Sequence, residues 1–241
     1  MKPLISINIS CLNRSKLLKE CLESFIAQTF KDFEIIVVDD GSEEDLSFVT
    51  KIDERIKYFR QEHGGMATAL NLATSASIGS LLMPFGSDDL ALPELLQETI
   101  DYMDKNNDFD VIYTDCWVEN KDGGRIRNKH PEYDNPQEAY EQMLRKQFIS
   151  HGGTLWKKEC YPAYDETVGP AEDWEFFLDA MEKGIRFKRL AKRLWVYKNF
   201  NEDRMSNNVA KMNESCEKVL RRRGYTFDSK TRSGKVCRQS L

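Results

Sequence analysis

Leu81-Leu-Met-Pro-Phe-Gly-Ser-Asp-Asp-Leu90 decides how this chain folds. Leu81 to Phe85 is an apolar run of strand length that breaks at Gly86 and ends in adjacent carboxylates, Asp88 and Asp89. An amphipathic helix is expected next, with Leu92, Leu95, Leu96, Ile100 and Met103 on one face. Strand, acidic turn and helix present charge at the C-terminal edge of an α/β sheet, where such folds bind ligands. Two carboxylates in a tight turn are hard oxygen donors that suit Mg2+ or Mn2+, and such ions commonly reach a phosphate-bearing substrate. The plainer alternative is that Asp88 and Asp89 cap the helix, since Asp is a favoured N-cap.

Upstream, Leu4 to Ser10 alternates as a strand, and Leu17, Leu18, Cys21, Leu22, Phe25 and Ile26 recur at helical spacing from about Ser15 to Gln28. Glu34 to Val38 is a continuous Ile/Val run ending in Asp39-Asp-Gly-Ser42, which reads as a buried parallel strand feeding a turn. A helix over 43–52, a strand over Ile56 to Arg60, the turn His63-Gly-Gly65 and an Ala-rich helix over Met66 to Ser75 complete a β-α-β-α-β-α-β order. Alternation of this kind predicts a mostly parallel sheet with helices on both faces. Downstream, Val111 to Asp115 is expected as a strand, Trp117 to Arg127 as a hairpin around Lys121-Asp-Gly-Gly124, and Gly152 to Trp156 as a returning strand. Glu172 to Lys183 is expected as a helix, Phe187 to Leu190 and Leu194 to Tyr197 as two short strands, and 207–223 as a last helix.

The chain is long enough to bury one sizeable core. A net charge of −5 argues against a fold-wide nucleic-acid surface. Six cysteines without C-x-x-C or zinc spacing read as reduced thiols of an intracellular protein. The N-terminus has no long apolar segment of a secretory signal, and no apolar run approaches the ~20 residues of a membrane span. A cytoplasmic protein is expected. Arg221-Arg-Arg223 and the basic tail offer a peripheral contact with anionic lipid at the inner face of a membrane.

Three acidic groups stand where strands stop or helices start: Asp39/Asp40, Asp88/Asp89 and Glu172/Asp173. Carboxylates gathered on one sheet edge repel one another unless a cation or a donor-rich ligand lies between them. A metal and a nucleotide satisfy that condition.

These residues carry a resemblance. Asn13-Arg14 after the first strand, Gln28-Thr-Phe30, Val38-Asp-Asp-Gly-Ser42, Gly64-Gly-Met-Ala-Thr-Ala-Leu-Asn71, Ser87-Asp-Asp89 and Glu172-Asp173 stand in the order of a family 2 glycosyltransferase. The resemblance spans roughly residues 1–200. It implies the GT-A fold, a Rossmann-like, mostly parallel sheet flanked by helices with a small acceptor-side extension. Residues 1–105 are then the nucleotide-sugar-binding half, 106–223 the acceptor-binding half of the same domain, and 224–241 a basic tail expected to be disordered.

The resemblance also implies an inverting transfer of one sugar from a nucleoside-diphosphate sugar to a glycan, lipid-linked or protein-linked acceptor. By position, Asp39 takes the base, and the N3–H of uracil suits a carboxylate. Asn13, Arg14, Gly65, Asn71 and Asp88 fall in the donor site, and Asp88 and Asp89 hold Mn2+ or Mg2+. Asp173 is the general base. Glu172 either binds acceptor hydroxyls or stabilises its helix N-terminus. Trp156, Trp174 and Trp195 are expected in the core, with Trp174 the one placed beside the base to stack on an acceptor sugar. His63 lines the donor pocket or lies on a surface turn, and the glycines after His151 imply close backbone approach.

The sequence departs from the family in two places. Gly86 replaces a common Asp, and Lys198 and Phe200 stand where Arg and His are frequent, so that the role of that His toward metal or diphosphate is either vacant or taken by Lys198, Asn201 or Arg204. The processive Q-x-x-R-W signature is absent. The competing readings are a catalytically weak nucleotide-sugar-binding protein of the same fold and a sugar nucleotidyltransferase. Ser10-Cys-Leu-Asn-Arg-Ser15 lacks the glycines the last would need.

Overall fold

The structure is a computed structural model and describes residues 2–199, 208–228 and 235–238. β1 (Ile5–Cys11), β2 (Phe33–Asp39), β3 (Ile56–Arg60) and β4 (Leu81–Gly86) lie side by side in the order β3-β2-β1-β4, all parallel. Every residue of β2 is buried, as a strand covered on both faces must be. Its alternate residues part to opposite sides: Ile35 and Val37 join the main core, Ile36 and Val38 the layer under Ala69 and Ala73. α1 (Ser15–Ile26) and α3 (Leu95–Lys105) cover the first face, α2 (Met66–Ala76) the second.

The sheet continues through β8 (Thr154–Lys157), antiparallel between β4 and β6 (Val111–Glu119), and then β9 (Phe187–Lys198), parallel to β6. β5 (Leu90–Ala91) closes the far edge on β9, and β7 (Arg125–Asn128) forms the expected hairpin with β6. α4 (Pro136–Arg145), α5 (Glu172–Glu182) and α6 (Val209–Arg221) pack with Tyr113, Trp156 and Tyr164 into a second aromatic-rich core. Among the described residues no helix is long and apolar enough to cross a membrane.

Register fixes the functional edge. Cys11 pairs with Asp39 and Ser10 with Gly86, so the turns after β1, β2 and β4 leave the same edge of the sheet.

Four expectations change. Residues 43–52 form only a short 3-10 turn, Val49–Lys51, because Asp45 accepts hydrogen bonds from the Ser47 N–H and hydroxyl and offers the backbone a local alternative to helix. α3 begins at Leu95 with Glu94 as its N-cap, while Leu90 and Ala91 pair with Val196 and Trp195, so Asp88 and Asp89 do not cap it. The two strands expected at 187–197 are one, β9, with an irregular register where Arg193 meets Asp115. Beyond 223, where no element was expected, Tyr225–Asp228 (β10) and Lys235–Arg238 (β11) pair antiparallel.

Candidate active site

The turn after β2 is built by hydrogen bonds that converge on two aspartates. Asp39, with no exposed surface, accepts from the Ser42 N–H at 2.8 Å, the Tyr58 hydroxyl at 2.6 Å and Arg60 Nη1 at 2.7 Å. Burial alone would raise its pKa. The hydrogen bonds from Ser42 and Tyr58 and the charge of Arg60 outweigh that and hold it below the usual carboxylate range. Asp40 accepts from Gln61 Nε2 and the Gly64 and Gly65 N–H groups, and its Oδ2 lies 2.8 Å from His63 Nδ1. It anchors the loop leading into α2, and the His63 ring stands 63% exposed at its rim. Asn13 joins the same set: its N–H donates to Ser42 Oγ, and its Oδ1 accepts from the Glu43 N–H. Arg14 follows, with Nη1 3.1 Å from Asp88 Oδ2.

Gly86 explains the corner after β4. A Cβ there would lie 2.9 Å from Asp89 Oδ2 and 3.2 Å from Asp88 Oδ1. The oxygens of both carboxylates therefore converge over this glycine, in space that a side chain would fill. Asp89 Oδ1 accepts from the Lys198 N–H at 3.0 Å, which ties the corner to the end of β9. The site fits a divalent cation that takes two protein carboxylates and completes its shell with phosphate oxygens and water, the usual Mg2+ arrangement. Among the described residues no group of three or more His, Cys, Asp or Glu side chains forms a closed metal cage. Lys198, expected to face the diphosphate, is 5% exposed with Nζ 2.5 Å from Glu20 Oε2. Phe200, Asn201 and Arg204 lie outside the described residues.

The third acidic pair opens α5. Asp173 is half-buried; its Oδ1 accepts from the Trp174 N–H and its Oδ2 from Gln147 Nε2 at 2.9 Å. Glu172 is 3% exposed, its Oε2 has no hydrogen-bond partner, and burial, with the charge of Asp173 adding to it, pushes its pKa up to about 7. His151 packs edge-on against Tyr164 and Phe176, with Nε2 3.3 Å from the Tyr164 hydroxyl. Burial holds it below the usual imidazole range.

Trp195 stands between the two sets. Its backbone pairs with Ala91, just beyond the Asp88–Asp89 corner. On the other side its indole presses so closely on the backbone after His151 that a Cβ at Gly152 would lie 2.6 Å from its ring. This is the close approach expected of Gly152-Gly153.

Two expected site residues face elsewhere. Trp174 is 7% exposed, packed in the second core, and donates its indole N–H to the Met143 carbonyl, so its face is not open to a sugar. Asn71 exchanges hydrogen bonds with the Tyr164 backbone in both directions and donates to Glu166, acting as a strut between α2 and the 161–168 loop. Reading the sequence missed Tyr58, Arg60, Gln61 and Gln147. Of these, only Arg60 and Gln61, at and just beyond the end of a strand on the functional edge, carried a positional hint.

A curled α/β sheet with acidic turns on one edge is the architecture of the GT-A glycosyltransferases. Residues 6–161 match the profile of the family described as glycosyl transferase family 2, and the chain belongs to that family. It is 26% identical over 219 residues to an uncharacterised glycosyltransferase of Methanocaldococcus jannaschii, spanning 87% of this chain and 76% of that one. It is 27% identical over 197 residues to a chondroitin synthase of Pasteurella multocida, spanning 79% of this chain and 20% of that one. Against other relatives the chain is likewise a part: 32% of a Rickettsia bellii glycosyltransferase and 21% of one from Rickettsia felis. The fold resembles that of Staphylococcus aureus TarS 1-349 in complex with UDP-GlcNAc, with TM-score 0.74, 20% identity, 91% of this chain and 66% of that one. It also resembles a mannosyltransferase of Pyrobaculum calidifontis in complex with GDP-Man and Mn2+, with TM-score 0.66, 15% identity, 92% of this chain and 64% of that one.

Proposed function

We propose that the chain transfers a single sugar, with inversion, from a UDP-linked donor to a hydroxyl of a glycan, lipid-linked or protein-linked acceptor. The observation that carries this reading is the convergence of Asp88 Oδ1 and Asp89 Oδ2 over Gly86, on the edge shared with the Asp39 turn. Those two carboxylates would hold Mn2+ or Mg2+, which when bound supplies charge to neutralise the departing diphosphate. Asp39 is fully buried, so its part in base recognition is to fix Tyr58 and the half-exposed Arg60 at the pocket edge. Gly65 and the loop pinned by Asp40 frame the donor from the α2 side.

Asp173 receives the proton of the incoming hydroxyl. The hydroxyl oxygen forms the new bond to the anomeric carbon, and the bond to the diphosphate oxygen breaks with its electron pair leaving on the diphosphate. One displacement from the opposite face inverts the centre and needs no second nucleophilic carboxylate. Gln147 and the Trp174 N–H each take one Asp173 oxygen and so fix the direction of its remaining lone pairs. Glu172, 3% exposed with Oε2 enclosed and unpartnered, is closed to a sugar in the same way as Trp174, so its place is inside the fold at the start of α5.

A thermal-shift screen of UDP, dTDP and GDP with their sugars, each with and without Mn2+, tests the reading when followed by donor hydrolysis. The expected result is a Mn2+-dependent stabilisation by UDP-sugars together with slow release of UDP. Binding without turnover would favour a nucleotide-sugar-binding protein. Pyrophosphate release from UTP would favour nucleotidyl transfer, and indifference to every nucleotide would discard the proposal.

A further inference from the structure

Arg14 and Asp88 form a sheltered ion pair: Nη1 lies 3.1 Å from Oδ2, with side chains only 22% and 10% exposed. A pair withdrawn from solvent is screened far less than one on the surface. Asp88 is also one of the two carboxylates whose oxygens converge over Gly86, so one side chain faces two claims from cations. Charge counting separates the states. Asp88 and Asp89 bring two negative charges, and Arg14 already answers one of them. Lys198 nearby is answered by Glu20. A divalent ion added to this set leaves cations in excess beside one another. A nucleoside diphosphate entering with the ion restores the balance, because its oxygens accept both the ion and a guanidinium, whose planar fork matches phosphate.

We propose that Arg14 is the positioning residue that couples the divalent cation to the donor: it holds Asp88 while the donor is absent and moves onto the diphosphate when the donor enters, releasing Asp88 to the ion. This rests on the metal and donor reading above and adds to it the order of events, in which the ion binds with the nucleotide and weakly alone. Coupling between two ligands is reciprocal, so the same residue makes UDP binding depend on the ion.

The test is Mn2+ titration followed by the EPR signal of free Mn2+, with and without UDP, on wild type, R14M, R14Q and R14K. In wild type UDP should tighten Mn2+ binding about tenfold or more, within the usual range of coupling. R14M and R14Q should bind Mn2+ alone about fivefold tighter than wild type, and UDP should then change that affinity by less than about threefold. R14K keeps a cation beside Asp88 but loses the planar fork, so it should bind Mn2+ alone as weakly as wild type and show a smaller tightening by UDP. Wild-type Mn2+ affinity in both neutral variants without UDP would overturn the coupling role while leaving the metal reading in place. Wild type that takes no Mn2+ even with UDP would remove the metal reading, and this inference with it. Circular dichroism melts of the two neutral variants separate a loss of fold from a change in binding.

Discussion

Glu172 is a carboxylate whose chemistry departs far from what its letter suggests. Its side chain is buried, Oε2 has no partner, and its pKa stands at about 7 against an ordinary 4.5. Between those two values the folded chain keeps a proton that the unfolded chain has released, so stability falls as pH rises through that window and levels off above it. At about 1.4 kcal/mol per pH unit, the loss above pH 7 is on the order of 3 kcal/mol. Glu172→Gln should therefore match wild type near pH 5 and exceed it by roughly 1–3 kcal/mol at pH 8, measured by urea unfolding at both values. A variant less stable than wild type at pH 8 would mean that the carboxylate is ionised and paired. Asp173, one position on, should behave differently. Asp173→Asn keeps the shape and one of the two accepted hydrogen bonds, from Gln147 or from the Trp174 N–H but not both, so donor affinity should hold while kcat falls about 10²–10⁴-fold, the usual contribution of a general base. Isothermal titration with UDP beside single-turnover kinetics checks both halves, and wild-type turnover would take Asp173 out of the mechanism. The two acids were legible in the sequence as a pair at a helix start. Their different environments were not, because adjacent positions at a helix start do not tell which carboxylate the fold covers and which it leaves half-buried.

Elements position the acidic corner from behind, and Gln28 shows how. It is fully buried at the end of α1, where its Nε2 donates to the Ser24 and Leu92 carbonyls and its Oε1 accepts from the Leu96 N–H. One side chain thus binds the chain just after the Asp88–Asp89 corner and the first turn of α3. Gln28→Ala would leave the Leu96 N–H buried without a partner, at about 1–3 kcal/mol, and open a cavity, while the Leu92 carbonyl keeps the Leu95 N–H. Denaturant unfolding should show a loss of roughly 2–4 kcal/mol, with weakened Mn2+–UDP binding because the corner loses its support. Stability within a few tenths of wild type would show that neighbouring groups or water replace the amide. β2 and β4 were readable because strands buried on both faces appear as unbroken apolar runs, whereas β1 showed as an alternation whose polar members Ser6 and Asn8 are buried as well. β9 was read as two pieces because Ala191-Lys-Arg193 interrupts its pattern, where the ladder with β6 is irregular. The Lys198–Glu20 pair was illegible for a related reason: the two residues lie 178 positions apart, and no local pattern carries such a contact.

At the scale of the molecule, the division into a donor half and an acceptor half follows the chain but not the core. β8 is inserted antiparallel between β4 of the first half and β6 of the second, so one sheet runs through both. The main core joins Ile5, Phe25, Phe85 and Leu96 to Ile112, Leu155, Leu190 and Trp195. Two halves that share a sheet and a core should unfold together. The four tryptophans offer a way to see this, because Trp117, Trp156, Trp174 and Trp195 all lie in the second half, whereas Asp39, Asp88 and Asp89 lie in the first. A ligand that binds only the folded chain stabilises it by about 2.7 kcal/mol at a hundredfold excess over Kd. For a chain of this size each kcal/mol raises Tm by roughly 2–4 °C. UDP with Mn2+ at that excess should therefore raise the melting temperature reported by tryptophan fluorescence by about 5–10 °C. The far-ultraviolet circular dichroism transition should move with it. If the fluorescence transition stayed in place while the dichroism curve split in two, the halves would be separate folding units, and the acidic corner would act on a neighbour that merely adjoins it rather than on a site built into the same sheet.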